Sequence, residues 1–372
     1  MPQDAADRLT GALAGAGLDA IVCLSPENVA YTAGFVVPSH PLMRWRHAAT
    51  VITADGRHAM VCVDMEETTV RAARPGEDVR VWAEFGGSAM AALAGLLTDL
   101  GLSRGRVGLE FGYLPVRDHA ELAGLLPGAR LTAADTLLVR SRQVKTADEL
   151  ALLTRLARIS DTAIATACAS VAAGSSELDL AAALTGAVYA EGAQQFKLMI
   201  VATGERSELP NVGPTDRILK PGDVCRIEIF SVIDGYHAGV CRTAVVGEPA
   251  PEAGRVYRNL ADCTEILLAE IRPGVRAGDV YTRFRAKFDE LAMPPIAFAG
   301  HGIGADLHEA PYLMAGATDV LEPGMVFGVE PLVYRTGFGF GMQIKDMVAV
   351  TDGGCLLLSN VTSTDEPLRI AA

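Results

Sequence analysis

Five side chains in the second half of this chain carry most of the chemistry its sequence offers: Glu228, His301, His308, Glu330 and Lys345. His301 stands between two glycines, where backbone can come close to a ligand. His308 follows in the same loop, and Glu330 precedes Pro331 at the end of an apolar run. Glu228 lies in Arg226-Ile-Glu-Ile-Phe230 and Lys345 in Gln343-Ile-Lys-Asp-Met347. In a strand, both point away from the isoleucine face. Two carboxylates, two imidazoles and an ammonium can move protons and stabilise developing charge. Taken singly, the same residues also read as a strand-end acid, an exposed strand lysine and polar loop side chains. Cys241 lies two residues beyond Gly239 and shares its strand face. A thiol there is a small buried hydrophobe unless a neighbouring base activates it.

The elements that position these groups fall into two parts. Residues 4–17 have helical spacing, and Asp19–Leu24 reads as a buried strand. Strands at 49–53 and 58–63 flank the hairpin turn Ala54-Asp55-Gly56-Arg57. Strand and helix signals then alternate to about residue 126, which predicts an α/β first domain over residues 1–140. Thr146 with Glu149 spells a capping box and opens a long helix through Ala172. A second helix is expected from Glu177 to Glu191, then strands near 197–201, 224–232 and 242–246. Helices at 252–271 and 277–291 follow, then strands at 326–329 and 343–350. The order of two helices and strands, repeated, predicts an α+β second domain over 147–372 with internal pseudo-symmetry.

The chain has 372 residues, half of them hydrophobic and a fifth charged, the profile of a folded two-domain protein. A net charge of −13 argues against a nucleic-acid partner. Seven scattered cysteines without a CxxC pair indicate reduced thiols and a cytoplasmic setting. Neither a signal peptide nor a membrane span is expected.

Several phrases, in this order and at these spacings, resemble the creatinase/prolidase/methionine-aminopeptidase family, the pita-bread enzymes. They include Ser25-Pro-Glu-Asn-Val-Ala-Tyr-Thr-Ala-Gly34, Val201-Ala-Thr-Gly-Glu-Arg-Ser-Glu-Leu-Pro-Asn211, Asp234-Gly-Tyr236, Cys241-Arg-Thr243, Gly300-His-Gly-Ile-Gly304 and Val329-Glu-Pro331. The resemblance implies a creatinase-type N-terminal domain followed by a pita-bread catalytic domain. It also implies a metal centre, since most such relatives hold two ions with two Asp, one His and two Glu. The matching positions here are Glu228, Gly239, His301, Glu330 and Lys345. Glycine offers no ligand atom, and lysine brings a positive charge to a cation's place. With only Glu228 and Glu330 left as carboxylates, Lys345 and a protonated His301 would balance the pocket.

The expectation is therefore a metal-independent hydrolase without cofactors, cleaving a C–N bond in a small carboxylate-bearing, amino-acid-derived substrate. His301, His308, Glu330, Lys345 and Glu228 would be catalytic. Arg46, Tyr236, Cys241 and Asn211 would bind substrate, with Arg46 on a segment reaching the partner's site in a homodimer. Three alternatives stay open. They are a lyase using the same pocket, a one-metal Xaa-Pro-type dipeptidase on Glu228, His301 and Glu330, and a non-catalytic binding protein.

Overall fold

The computed structural model describes residues 3–372, with side chains from Arg8 onward. The chain divides into two compact units, the second beginning at Gln143. The first is built on a six-stranded mixed sheet in the order 78–82, 58–63, 49–53, 20–23, 106–109, 130–133. The hairpin joining 49–53 to 58–63 turns at Gly56, whose φ of 84° suits glycine. The helices Ala89–Asp99 and Val116–Leu125 bury leucines on one apolar core, and the helix Gln3–Ala16 buries Leu9 and Leu13 on another.

The second unit repeats one plan. Thr146 opens the helix Ala147–Ser170 with the expected capping box, and Ser176 does the same for Glu177–Ala190. The sheet that follows has the order 368–370, 236–246, 224–233, 195–203. A second helix pair, Pro251–Glu270 and Ala277–Glu290, adjoins a five-stranded sheet ordered 309–314, 298–302, 326–329, 346–351, 354–357. Phe284, Phe288 and Phe327 lie in one buried cluster there.

One strand departs from expectation in a way that shapes the site. The predicted strand 343–350 is broken: Met342–Gln343 pairs with Leu332–Val333, and Asp346–Thr351 pairs with Val326–Val329. Between them, Lys345 exchanges backbone hydrogen bonds of 3.0 and 3.2 Å with Cys241. That bridge joins the two halves of the unit beside the two central strands. Among the described residues, no helix is long and apolar enough to cross a membrane. All seven cysteines are free.

Candidate active site

Alternation along Val224–Ile233 puts Arg226, Glu228 and Phe230 on one face, opposite Thr243, Cys241 and Gly239 respectively. Lys345 reaches this face from across the Cys241 bridge. Its ammonium lies 3.3 Å from Glu228 Oε1, 3.2 Å from Glu330 Oε2 and 3.0 Å from His301 Nε2. It also stands 4.5 Å from the centroid of the Phe230 ring, a cation–π contact. All four of these partners are buried.

The electrostatics follow from that packing. Burial would strip the proton from Lys345, but Glu330 and Glu228 hold it, so its pKa is raised. Burial pushes Glu228 up, with Lys345 only partly opposing. Glu330 is held low against burial by Lys345 and His301. The two carboxylates are thus driven apart, the usual sign of distinct roles.

His301 Nδ1 lies 2.8 Å from the Gly302 carbonyl, and its Nε2 lies 3.0 Å from the Lys345 ammonium and 3.3 Å from Glu330 Oε1. Its ring stacks on His308 with centroids 3.5 Å apart and planes 11° from parallel. Two cationic rings would repel at that distance. Burial of the stacked face, His301 and Lys345 bring His308 down to about 4, so it is neutral at pH 7. His308 is the exposed member of the cluster.

Other contacts support these groups. Gln343 donates to Glu330 Oε2 at 3.1 Å and accepts from Arg226 Nη1 at 3.2 Å. Lys145 pairs with Glu309, next to His308, with both side chains almost wholly buried. Neither Arg226 nor Lys145 was singled out from the sequence. Arg226 shares the alternating face of Glu228, a signal that could have found it. The partner of Lys145 lies too far along the chain to be read. Arg226 also adds to the expected charge balance: its guanidinium helps Lys345 oppose the effect of burial on Glu228.

Of the expected substrate contacts in the second unit, Cys241 adjoins the cluster, paired with Glu228 across the strands. Tyr236 donates its hydroxyl to Glu149 at 2.9 Å, a structural tie. Cys241 is wholly buried, and burial with Glu228 nearby pushes its thiol well above the usual range, so it is no nucleophile. Asn211 is exposed on the loop after the turn Gly204–Glu208. Arg46 lies in the first unit, held by Glu84 through two hydrogen bonds of 2.8 and 2.9 Å.

A two-ion centre does not fit these residues. Gly239 has no donor, Phe230 fills the adjoining space, and Lys345 takes the fifth position. A single ion does fit. Donor atoms of His301, His308 and Glu330 lie within 4.8 Å of one another. Glu330 Oε1 is buried 3.3 Å from His301 Nε2, and the backbone anchor on His301 Nδ1 is the usual support of a metal-binding imidazole. This trio has His308 where the expected fallback set has Glu228, which lies 3.3 Å from the Lys345 ammonium.

Residues 151–352 match the sequence profile described as Metallopeptidase family M24, and residues 6–144 match the Creatinase/Prolidase N-terminal domain. The protein named "Probable dipeptidase PepE" of Mycobacterium bovis is 31% identical over 358 residues, 94% of this chain and 92% of its own. An Xaa-Pro dipeptidase of Pyrococcus furiosus is 27% identical over 237 residues, 63% of this chain and 67% of its own. The crystal structure of a dipeptidase PepE from Mycobacterium ulcerans superposes with a TM-score of 0.84 at 27% identity, covering 99% of this chain and 98% of its own. An Xaa-Pro dipeptidase from Bacillus anthracis shares the fold, with a TM-score of 0.85, 24% identity and 99% coverage of both chains. These likenesses overturn the expectation of a metal-independent hydrolase, because the profile and the relatives are those of metallopeptidases and dipeptidases.

Proposed function

This chain belongs to metallopeptidase family M24, with a creatinase-type N-terminal domain before its pita-bread domain, and we propose that it is a one-ion dipeptidase of the Xaa-Pro type. It is a hydrolase of C–N bonds; the substrate class and the ion count are our reading. The observation that carries it is the convergence of donor atoms of His301, His308 and Glu330 within 4.8 Å of one another. A divalent ion held by these three residues would supply Lewis acidity toward the scissile carbonyl.

The chain's own groups do the rest. Lys345 holds a fixed positive charge between Glu228 and Glu330, where negative charge developing on a substrate oxygen would be stabilised. Neutral His308, exposed at the edge of the cluster, can donate to or accept from a peptide group at one ring nitrogen. Glu228, pushed up by burial, can hold a proton on its carboxyl at pH values where Glu330 stays ionised. The buried wall of Phe230 keeps water from Lys345.

We carry the homodimer and the cytoplasmic setting forward as part of this reading; the free cysteines support the second. Arg46 would have to exchange Glu84 for a substrate carboxylate to serve in a partner's site. The test is hydrolysis of Ala-Pro against Ala-Ala with manganese, cobalt or zinc added to chelated protein. Ion-dependent cleavage of Ala-Pro supports the reading. Cleavage unaffected by chelation, or none with any ion, overturns it.

A further inference from the structure

Arg226 is wholly buried, yet among the described residues no carboxylate lies within ion-pair reach of it. A buried guanidinium in that position needs other acceptors. It finds them in two directions. One Nη2 donates to the carbonyls of Leu209 and of Pro210, the latter at 2.7 Å. The other, Nη1, donates to Gln343 Oε1, and the Gln343 amide donates in turn to Glu330 Oε2. The face of the guanidinium lies 5.0 Å from the Tyr334 ring, on the segment that follows Glu330.

Gln343 is itself clamped. Thr243 Oγ1 donates to its carbonyl at 2.9 Å and accepts from its N–H at 3.1 Å. Its side chain therefore starts from a fixed backbone and spans between Arg226 and Glu330. The loop beyond the turn at Leu209 and Pro210 carries the exposed Asn211. One rigid planar fork thus touches both the base of that loop and the orienting partner of a site carboxylate. A lysine could not do both, since its single ammonium lacks the fork.

We propose that Arg226 is a positioning residue that couples the Leu209–Asn211 loop to Glu330 through Gln343, so that placement of the loop and orientation of the carboxylate are set together. This deepens the dipeptidase reading and rests on it for the kinetic part of the test. Three variants divide the arm. Q343M severs Glu330 from the arm and leaves the loop contacts. R226M removes both. R226K keeps the charge without the fork.

Hydrogen exchange read by mass spectrometry, without substrate, tests the coupling itself. In R226M, amides of 204–214 and of 330–333 should both exchange on the order of tenfold faster than in the wild type. In Q343M, only the second segment should quicken. With Ala-Pro as probe, Q343M should lower kcat about tenfold with KM nearly unchanged, whereas R226M should also raise KM severalfold. If R226M fails to fold, R226K takes its place, and its kcat should fall as in Q343M. Wild-type kcat in Q343M, or exchange in R226M that quickens at only one segment, overturns the coupling. An inactive wild type fails the dipeptidase reading alone and leaves the exchange comparison to decide the arm.

Discussion

The ring of Phe230 occupies the space that any side chain at position 239 would need: a Cβ on Gly239 would run into Phe230 Cε1. The two residues face each other across neighbouring strands. The absence of a ligand at 239 is therefore built into the packing.

G239D should be destabilised by roughly 1–3 kcal/mol or more from overpacking, before any cost of a buried carboxylate is added. It should gain no second ion. Thermal melts with metal analysis check this. Pairing it with F230A should recover part of the lost stability, because the ring is what the new side chain meets.

K345M should lose roughly 3–5 kcal/mol near pH 7, since it leaves Glu228 and Glu330 buried without their cation. The deficit should shrink as pH falls and the carboxylates take up protons. Denaturant unfolding at pH 7 and pH 5 measures both values. Equal deficits at the two pH values would show that Lys345 matters for packing rather than for charge.

Period-two alternation made the face of Glu228 legible, and the flanking glycines marked His301. Both carboxylates sit within salt-bridge reach of the lysine. The break at Ile344–Lys345 was not legible, because it depends on a backbone bridge to Cys241 about a hundred residues away. The ion count failed for a related reason. Lost ligands at 239 and 345 can be read position by position, but a replacement donor cannot. His308 joins His301 and Glu330 only once its loop is folded back onto the ring of His301.

That loop has its own anchor. Lys145 and Glu309 form a buried pair one residue from His308, and the lysine lies against Gly304 at the other end of the loop. K145M should cost roughly 3–5 kcal/mol by leaving Glu309 uncompensated. K145M/E309L should regain much of that stability without regaining activity, if the pair serves to place His308. A double-mutant cycle on stability and on Ala-Pro hydrolysis separates the two effects.

His40 gives the first unit a pH dependence of its own. It is buried beside His47, and burial, with His47, brings its pKa from 6.5 to about 4. The folded state therefore favours the neutral ring. This contribution, on the order of 3 kcal/mol, is complete above the unfolded value of 6.5 and is lost as pH falls toward 4. Melting temperature should decline between pH 7 and pH 4.5, and H40Q should flatten that decline. An unchanged slope in H40Q would assign the acid sensitivity elsewhere.

The central claim is that the site holds a single divalent ion on His301, His308 and Glu330, and equilibrium dialysis with metal analysis tests it most directly. Chelated wild-type protein dialysed against manganese or zinc should take up about one ion per chain, and E330Q should take up almost none. Two ions per chain, no ion at saturating concentration, or undiminished uptake by E330Q would contradict it.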